Sequence, residues 1–293
     1  MIPRTGTRSL ERALGDWARA RLPFWLVEFV MFGLKQAWAC LFGILLLGGI
    51  MVSKAVWQPG WIARYDALVI WAVGLQALFL ALKLETWREA RVILLFHLTG
   101  TAMEIFKVSA GSWAYPEAGV LKLFGIPLFS GFMYAAVGSY MARVIRIFDM
   151  AFAPYPPFWT TLALAAAIYV NFFAHHFLPD IRLGLFAATV LLFGRTRIWF
   201  TIGARRYWMP LVLAAFLSSL FLWIAENIGT GTGTWVYAGN AGQHWASLSK
   251  MGSWYLLLYV SFVTVTLQYR DALFRRPLAS RAPQPPARSP AAG

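Results

Sequence analysis

Eight apolar segments follow one another along this chain, and each is long enough, or nearly so, to cross a membrane. An α-helix rises 1.5 Å per residue, so about 20 residues span the roughly 30 Å of hydrocarbon. Charged residues make up only 13% of the 293 residues and hydrophobic residues 59%, whereas a soluble domain has about 25% charged residues. We therefore expect an all-α, polytopic membrane bundle of about eight transmembrane helices. The predicted helices are 29–52, 67–84, 91–109, 126–146, 158–178, 183–203, 209–228 and 253–269.

The basic residues lie between the apolar segments and indicate the orientation. The chain has 26 Lys and Arg against 12 Asp and Glu, a net charge of +14. With both termini inside, 19 of these basic residues fall on the inner side and six on the outer side. Because cytoplasmic loops carry the excess of Lys and Arg, we expect a multi-pass protein of the inner (plasma) membrane with both termini in the cytoplasm. A charge spread in this way does not indicate a nucleic-acid partner.

One pattern occurs twice, 122 positions apart: a glutamate, six residues, then Gly-Ser/Thr-Trp-Ala/Val-Tyr. The copies run from Glu104 to Tyr115 and from Glu226 to Tyr237. Glu104 lies in the third predicted helix and Glu226 in the seventh, so the helices that carry the two glutamates run in the same direction. This predicts two four-helix halves, 29–150 and 151–270, arranged as in parallel-repeat membrane folds. An old duplication and convergence at a helix end are both compatible with the pattern.

The two ends of the chain differ from its apolar middle. Residues 9–22 alternate apolar and charged side chains at helical spacing, which predicts an amphipathic cytoplasmic arm within 1–28. The stretch 271–293 is rich in Pro, Ala and Arg, and we expect a disordered cytoplasmic tail.

The two repeated glutamates are the first candidates for function. A charged side chain costs about 2.5 kcal/mol or more at the centre of a transmembrane helix, so an intramembrane carboxylate indicates a site by default. Glu104 has an alternative explanation, because Lys107 lies three residues further on and could form an interfacial ion pair. Glu226 has no basic neighbour of this kind.

With both termini inside, Glu104 and Glu226 lie near the outer ends of their predicted helices. The fifth predicted helix brings further polar residues to this outer face. Asn171 and His175 are four residues apart and share a helix face, and His176 follows them. The histidines could also be satisfied bundle residues, and the Trp-x-Tyr pairs could belong to an interfacial aromatic belt. The predicted catalytic residues are Glu226, Glu104, His175 and His176, and the predicted substrate-binding residues are Asn171, Asn227, Trp113, Tyr115, Trp235 and Tyr237.

Several familiar motifs are missing from the sequence. It has no Walker loop, no Cys-x-x-Cys and no Gly-x-Gly-x-x-Gly, and its four histidines are too few for a membrane di-iron oxygenase. We therefore expect no cofactor and no metal. The single cysteine, Cys40, cannot form an intramolecular disulfide.

Four segments carry a resemblance to a known family. They are Glu104–Pro116, Phe124–Phe132, Tyr169–His176 and Trp223–Gly229. They resemble the domain-of-unknown-function 817 family of bacterial integral membrane proteins, which has no established activity to transfer. The intramembrane glutamate, the Gly-x-Trp-x-Tyr loop and the Gly-Ile-Pro-Leu helix start also resemble the membrane carotenoid hydratases and small lycopene cyclases. That second resemblance implies protonation of long polyenes without a metal or redox cofactor.

These observations lead to one main hypothesis and two alternatives. The main hypothesis is an intramembrane enzyme that acts on an isoprenoid or other lipid at the outer leaflet by acid–base chemistry. Glu226 and Glu104 would be acid and base, and His175 or His176 a proton relay. Its partners would be membrane lipid and a hydrophobic small-molecule substrate. The alternatives are a proton- or cation-coupled transporter of a small molecule, and a metal-binding membrane protein that uses both glutamates and one of the histidines.

Overall fold

The computed structural model describes residues 6–58, 60–203, 205–237 and 246–274 of a mostly helical chain. The predicted tail falls largely outside these residues. The helices are α1 Gly6–Arg19, α2 Phe24–Ala39, α3 Leu41–Val56, α4 Arg64–Ala81, α5 Trp87–Ser109, α6 Phe129–Ile147, α7 Phe158–Ala174, α8 Arg182–Phe193, α9 Leu211–Gly231, α10 Leu248–Gln268 and α11 Arg270–Phe274. The strands are β1 Trp113–Ala114, β2 Lys122–Leu123, β3 Ile126–Pro127, β4 Ala151–Ala153, β5 Arg197–Ile202, β6 Arg205–Pro210 and β7 Val236–Tyr237.

Fewer helices than predicted have the length and composition of a membrane span. Within the described part of the chain four helices qualify, namely α4, α5, α9 and α10, and α2 with α3 would make a fifth if the bent pair is one span. Helices α7 and α8 are apolar but have only 17 and 12 residues. The molecule is thus a helical membrane protein with four or five candidate spans, and the predicted eight spans in two four-helix halves are not confirmed.

The first predicted helix, 29–52, is broken in the middle. Helices α2 and α3 meet at Cys40 at an angle of 68°. The guanidinium of Arg143, fully buried on α6, donates a hydrogen bond of 2.7 Å to the carbonyl of Trp38. A side chain that takes a carbonyl from the helical ladder is a known cause of a sharp kink. The prediction of one continuous helix over 29–52 was wrong, because the break depends on a residue more than 100 positions away.

The prediction of a sixth helix over 183–203 is also wrong for the second half of that range. Helix α8 ends at Phe193, and β5 and β6 form a hairpin that turns at Gly203, whose φ is +56°. Within β5 the buried residues are Ile198, Phe200 and Ile202, which alternate with more exposed neighbours. This period of two, in a run rich in aromatic and β-branched residues, favours a strand inside an otherwise apolar stretch.

Helices α5 and α6 pack closely and bring Tyr134 of α6 against α5. A Cβ on Gly100 would lie 2.6 Å from the Cβ of Tyr134, so only glycine permits this approach. Glu104 lies one turn further along α5, and the close packing therefore sets the Tyr134 ring beside it.

The two copies of the repeated pattern meet in space. Strand β1 follows α5 and strand β7 follows α9, and they pair antiparallel with Trp113 opposite Tyr237 and Ala114 opposite Val236. The Trp of one copy thus faces the Tyr of the other. We call the side of the bundle where α5 and α9 end at this ribbon the motif end. The wider division into halves at residue 150 stays a prediction.

Candidate functional site

Glu104 is buried and fully supplied with hydrogen-bond donors. Its Oε2 accepts bonds from the indole Nε1 of Trp113 at 2.8 Å and the hydroxyl of Tyr115 at 2.9 Å. Its Oε1 accepts a bond from the hydroxyl of Tyr134 at 2.7 Å. The residue is only 2% exposed. Three neutral donors therefore satisfy a carboxyl group that water does not reach freely.

Glu226 repeats this arrangement with the residues of the second copy. Its Oε1 accepts bonds from the Nε1 of Trp235 at 2.7 Å and the hydroxyl of Tyr237 at 2.5 Å. Its Oε2 accepts a longer bond, 3.3 Å, from the Nε1 of Trp254. Each glutamate is thus held by the tryptophan nine residues and the tyrosine eleven residues after it.

The glycine of the repeated pattern makes this return of the chain feasible. Gly111 and Gly233 both have positive φ, +69° and +64°. Residues with a Cβ rarely adopt this conformation, and it turns the chain back after each helix so that the Trp and Tyr reach the glutamate. The fixed spacing of the pattern is therefore the spacing of a carboxyl-binding loop.

The third donor distinguishes the two copies. Tyr134 and Trp254 lie 30 and 28 residues after their glutamates, and their ring centroids are 6.1 Å apart. A phenol hydroxyl can donate or accept a hydrogen bond, whereas an indole N–H can only donate. The hydroxyl of Tyr134 can therefore accept a hydrogen bond from a proton on Oε1 of Glu104. The indole of Trp254 cannot accept one from a proton on Oε2 of Glu226.

Both glutamates line one cavity of about 340 Å³ at the motif end. Nine of the ten predicted site residues line it: Glu104, Glu226, His175, His176, Asn171, Trp113, Tyr115, Trp235 and Tyr237. The tenth, Asn227, is not part of the lining. Its amide donates to the carbonyl of Trp223 and accepts from the backbone N–H of Ala246, both at 2.7 Å, so it ties the end of α9 to the chain before α10.

Burial and the two carboxyls together raise the pKa of the loop tyrosines. The pKa of Tyr115 rises because of its burial, then because of Glu104 and Glu226. The pKa of Tyr237 rises because of its burial, then because of Glu226 and Glu104. Both hydroxyls therefore remain protonated donors throughout the physiological range, and each is influenced by both carboxyls.

The interpretation of Glu104 as the ion-pair partner of Lys107 is wrong. The Nζ of Lys107 donates instead to the carbonyl of Phe172 at 2.6 Å and lies 3.0 Å from Nε2 of His176. Among the described residues no Lys or Arg nitrogen forms an ion pair with Glu104 or Glu226. Neutral donors alone hold the two carboxyls.

The two histidines belong to the rim of the cavity. Nδ1 of His175 lies 3.0 Å from the carbonyl of Asn171, and Nε2 of His176 lies 3.4 Å from Oγ of Ser112. Burial and the nearby positive charges, first that of Lys107, lower the pKa of His176. None of the hydrogen bonds described for either imidazole reaches a glutamate, so a proton relay would need a bridging water or substrate atom. The relay role stays a prediction.

Asn171 organises the turn between α7 and α8. Its amide donates to Asp180 at 3.0 Å and accepts from the backbone N–H of Ile181 at 3.1 Å. Asp180 also forms an ion pair of 3.0 Å with Arg182. These bonds fix the cavity wall on the side of α7, and Arg182 itself lines the cavity.

The third hypothesis, a metal site, finds no support in the donor geometry. Across the described ranges no three side chains of His, Cys, Asp or Glu lie together as metal ligands would. Glu104 and Glu226 use both of their oxygens for neutral donors.

Among the other residues that line the cavity, sequence reasoning did not single out Tyr134, Trp254 and Lys250, and it gave Lys107 a different role. The near-equal distances of Tyr134 and Trp254 from their glutamates were a signal that could have found two of them. Lys107 and Lys250 gave no such signal, because lysines at helix ends are ordinary in membrane proteins.

Comparison with known proteins finds relatives without an assigned activity. Residues 28–262 match the family described as "Protein of unknown function (DUF817)". The chain is 43% identical over 240 residues to "Uncharacterized protein YoaT" of Bacillus subtilis (strain 168), which covers 81% of this chain and 90% of that protein. No solved structure matches.

Proposed function

We propose that this chain, which belongs to the DUF817 family of proteins of unknown function, catalyses an acid–base reaction on an isoprenoid or other lipid within the membrane. One observation carries the proposal: two glutamates, each bound by the Trp and Tyr of its own motif copy, line the same cavity. A pair of carboxyl groups in different hydrogen-bond environments is the usual basis for dividing acid and base roles.

The third donors support an assignment of the two roles. Glu104 is the acid, because the hydroxyl of Tyr134 can accept a bond from a protonated Oε1. Glu226 is the base: its Oε2 faces the N–H of Trp254, and its Oε1 is shared by Trp235 and Tyr237, whereas Oε1 of Glu104 accepts the single bond from Tyr134. These roles are the reverse of those expected from the sequence, which were Glu226 as acid and Glu104 as base.

The chemistry requires no oxidant or reductant. Glu104 transfers its proton to one carbon of a C=C bond, which leaves a carboxylate and a carbocation. The Glu226 carboxylate then removes a proton from a neighbouring carbon, giving an isomerised or cyclised alkene, or from a water molecule whose oxygen bonds to the cation, giving an alcohol. Exchange with solvent returns a proton to Glu104 and removes one from Glu226. The π faces of the cavity tryptophans stabilise the intermediate cation.

A proton-coupled transporter is the second candidate. The two carboxyl groups that line one cavity favour it, because ionisable residues that face a cavity within a membrane protein mark proton pathways. Such a transporter would give uptake that depends on a proton gradient without any change in the lipids of the cell.

Mass-spectrometric profiling of lipids and pigments tests the enzyme. Cells that lack the gene are compared with cells that express the wild-type chain, Glu104→Gln or Glu85→Gln. Glu85 is a matched control, since it is 4% exposed and accepts bonds from the neutral Ser139 and Gln76 away from the cavity. We expect the wild type and Glu85→Gln to restore a missing species and Glu104→Gln to lose it by a factor of about 100 or more. An unchanged profile in all strains, or full restoration by Glu104→Gln, would rule out the proposed catalysis.

A further inference from the structure

We propose that Lys107 and Ser112, with His176 between them, form a subsite for the oxyanion of an amphiphilic ligand, whose apolar chain lies along the cavity wall. The ligand class is a phosphate ester or carboxylate with a hydrocarbon tail. This inference names the substrate class for the same cavity and so rests on the proposed function.

Lys107 is a buried cation for which the described residues provide no carboxylate partner. The residue is 2% exposed, and its ammonium contacts the carbonyl of Phe172 and the imidazole of His176. These contacts use two of its three N–H donors. Among the described residues no carboxylate oxygen lies within 4.0 Å of its Nζ. A buried ammonium is costly unless an anion neutralises it, which points to an anion from outside the chain.

The second motif copy provides an internal comparison. At the 122-residue offset Ser112 corresponds to Thr234, whose hydroxyl accepts a bond of 3.3 Å from Arg64. Arg64 is also buried, but it forms two bonds of 2.7 and 2.8 Å to the carboxylate of Glu117. The cation beside Thr234, Arg64, therefore has an anion within the chain, whereas the cation beside Ser112, Lys107, has none among the residues that the structure describes.

The groups around Lys107 suit an oxyanion. Oγ of Ser112 and Nζ of Lys107 lie 3.4 and 3.0 Å from the same atom, Nε2 of His176, so the two donors lie close together in the cavity wall. Lys250 and Arg182 line the same cavity and add positive charge. Asp180, in the turn between α7 and α8, is already bound by Arg182 and Asn171.

The rest of the wall suits a hydrocarbon chain. Five apolar side chains line the cavity between α6, α7 and α10: Met133, Ile168, Phe172, Leu256 and Leu257. An ion without a tail would leave this apolar surface in contact with water, at a cost in binding free energy. An amphiphile with an anionic headgroup covers both parts.

Calorimetric titration of the purified chain in a neutral detergent tests the subsite. The probes are octyl phosphate, octanol and inorganic phosphate. We expect octyl phosphate to bind at least about tenfold more tightly than either other probe, and Lys107→Met to weaken it at least about tenfold, the effect of a lost charge-assisted hydrogen bond. The matched control is Lys54→Met, which removes a half-exposed lysine outside the cavity lining and should change the affinity less than twofold.

Other results would overturn the inference. Equal affinities for octanol and octyl phosphate would exclude the oxyanion site, and equal affinities for inorganic and octyl phosphate would exclude an amphiphile. An unchanged affinity for octyl phosphate in a Lys107→Met variant, shown to be folded by circular dichroism, would also overturn the inference. If that variant does not fold, Ser112→Ala and His176→Gln carry the same test. Glu104→Gln should keep the binding of octyl phosphate, so a failure of the proposed chemistry remains distinguishable from a failure of the subsite.

Discussion

We expect Glu226→Gln to abolish product formation while the protein still folds and inserts. The glutamine carbonyl can still accept the bonds that Trp235 and Tyr237 donate to Oε1. The amide cannot take up a proton, however, so the base is lost while the shape of the site is kept. A positioned general base contributes typically 10²- to 10⁴-fold, and we expect a loss of about this size.

The measurement is the amount of product per amount of folded protein, by liquid chromatography and mass spectrometry of lipid extracts. Glu85→Gln again serves as the control for the removal of a buried carboxyl group. Wild-type product levels in Glu226→Gln would show that this carboxyl takes no part in the chemistry.

A second large effect is expected at Gly229. A Cβ at this position would lie 1.7 Å from Cη2 of Trp235. Gly229→Ala must therefore displace the indole that donates to Glu226. Overpacking of this kind costs about 1–3 kcal/mol or more in the free energy of unfolding. We expect a clearly lower midpoint of thermal unfolding in neutral detergent, together with loss of product.

Gly74→Ala is the matched control for this substitution. Gly74 also lies within an apolar helix, α4, but apart from the adjacent backbone of that helix no described atom lies within 4 Å of the Cβ that alanine would add. The better helix propensity of alanine should leave its unfolding midpoint equal or higher. Equal midpoints for the Gly229→Ala and Gly74→Ala variants would contradict the close contact between Gly229 and Trp235.

The hydrophobic pattern predicted the positions of the helices better than their breaks and ends. Each of the eight predicted segments contains a helix, because a long apolar run must satisfy its own backbone in a membrane. The break at Cys40 escaped prediction since it depends on Arg143 of a distant helix. The strand β5 escaped since its alternating burial lies within an apolar run that also fits a helix.

The candidate site was predictable where the repeated pattern encodes a local loop. The spacing from Glu104 to Trp113 and Tyr115 is what the chain needs to turn back onto the end of its helix. The spacing alone therefore indicates that these two side chains can reach the glutamate. The partners from other helices could not be derived in this way. Tyr134 and Lys107 gain their roles from the packing of α6 and α7 against α5, which one sequence does not specify.

The division of roles between Glu104 and Glu226 is measured most directly by infrared spectroscopy of the carboxyl groups. A protonated carboxyl has its own C=O stretching band, which shifts in D₂O, whereas a carboxylate lacks it. We expect the wild-type minus Glu104→Gln difference spectrum to contain this band and the wild-type minus Glu226→Gln spectrum to lack it. A band in the Glu226 difference spectrum alone, or in neither, would contradict the assignment of Glu104 as the acid and Glu226 as the base.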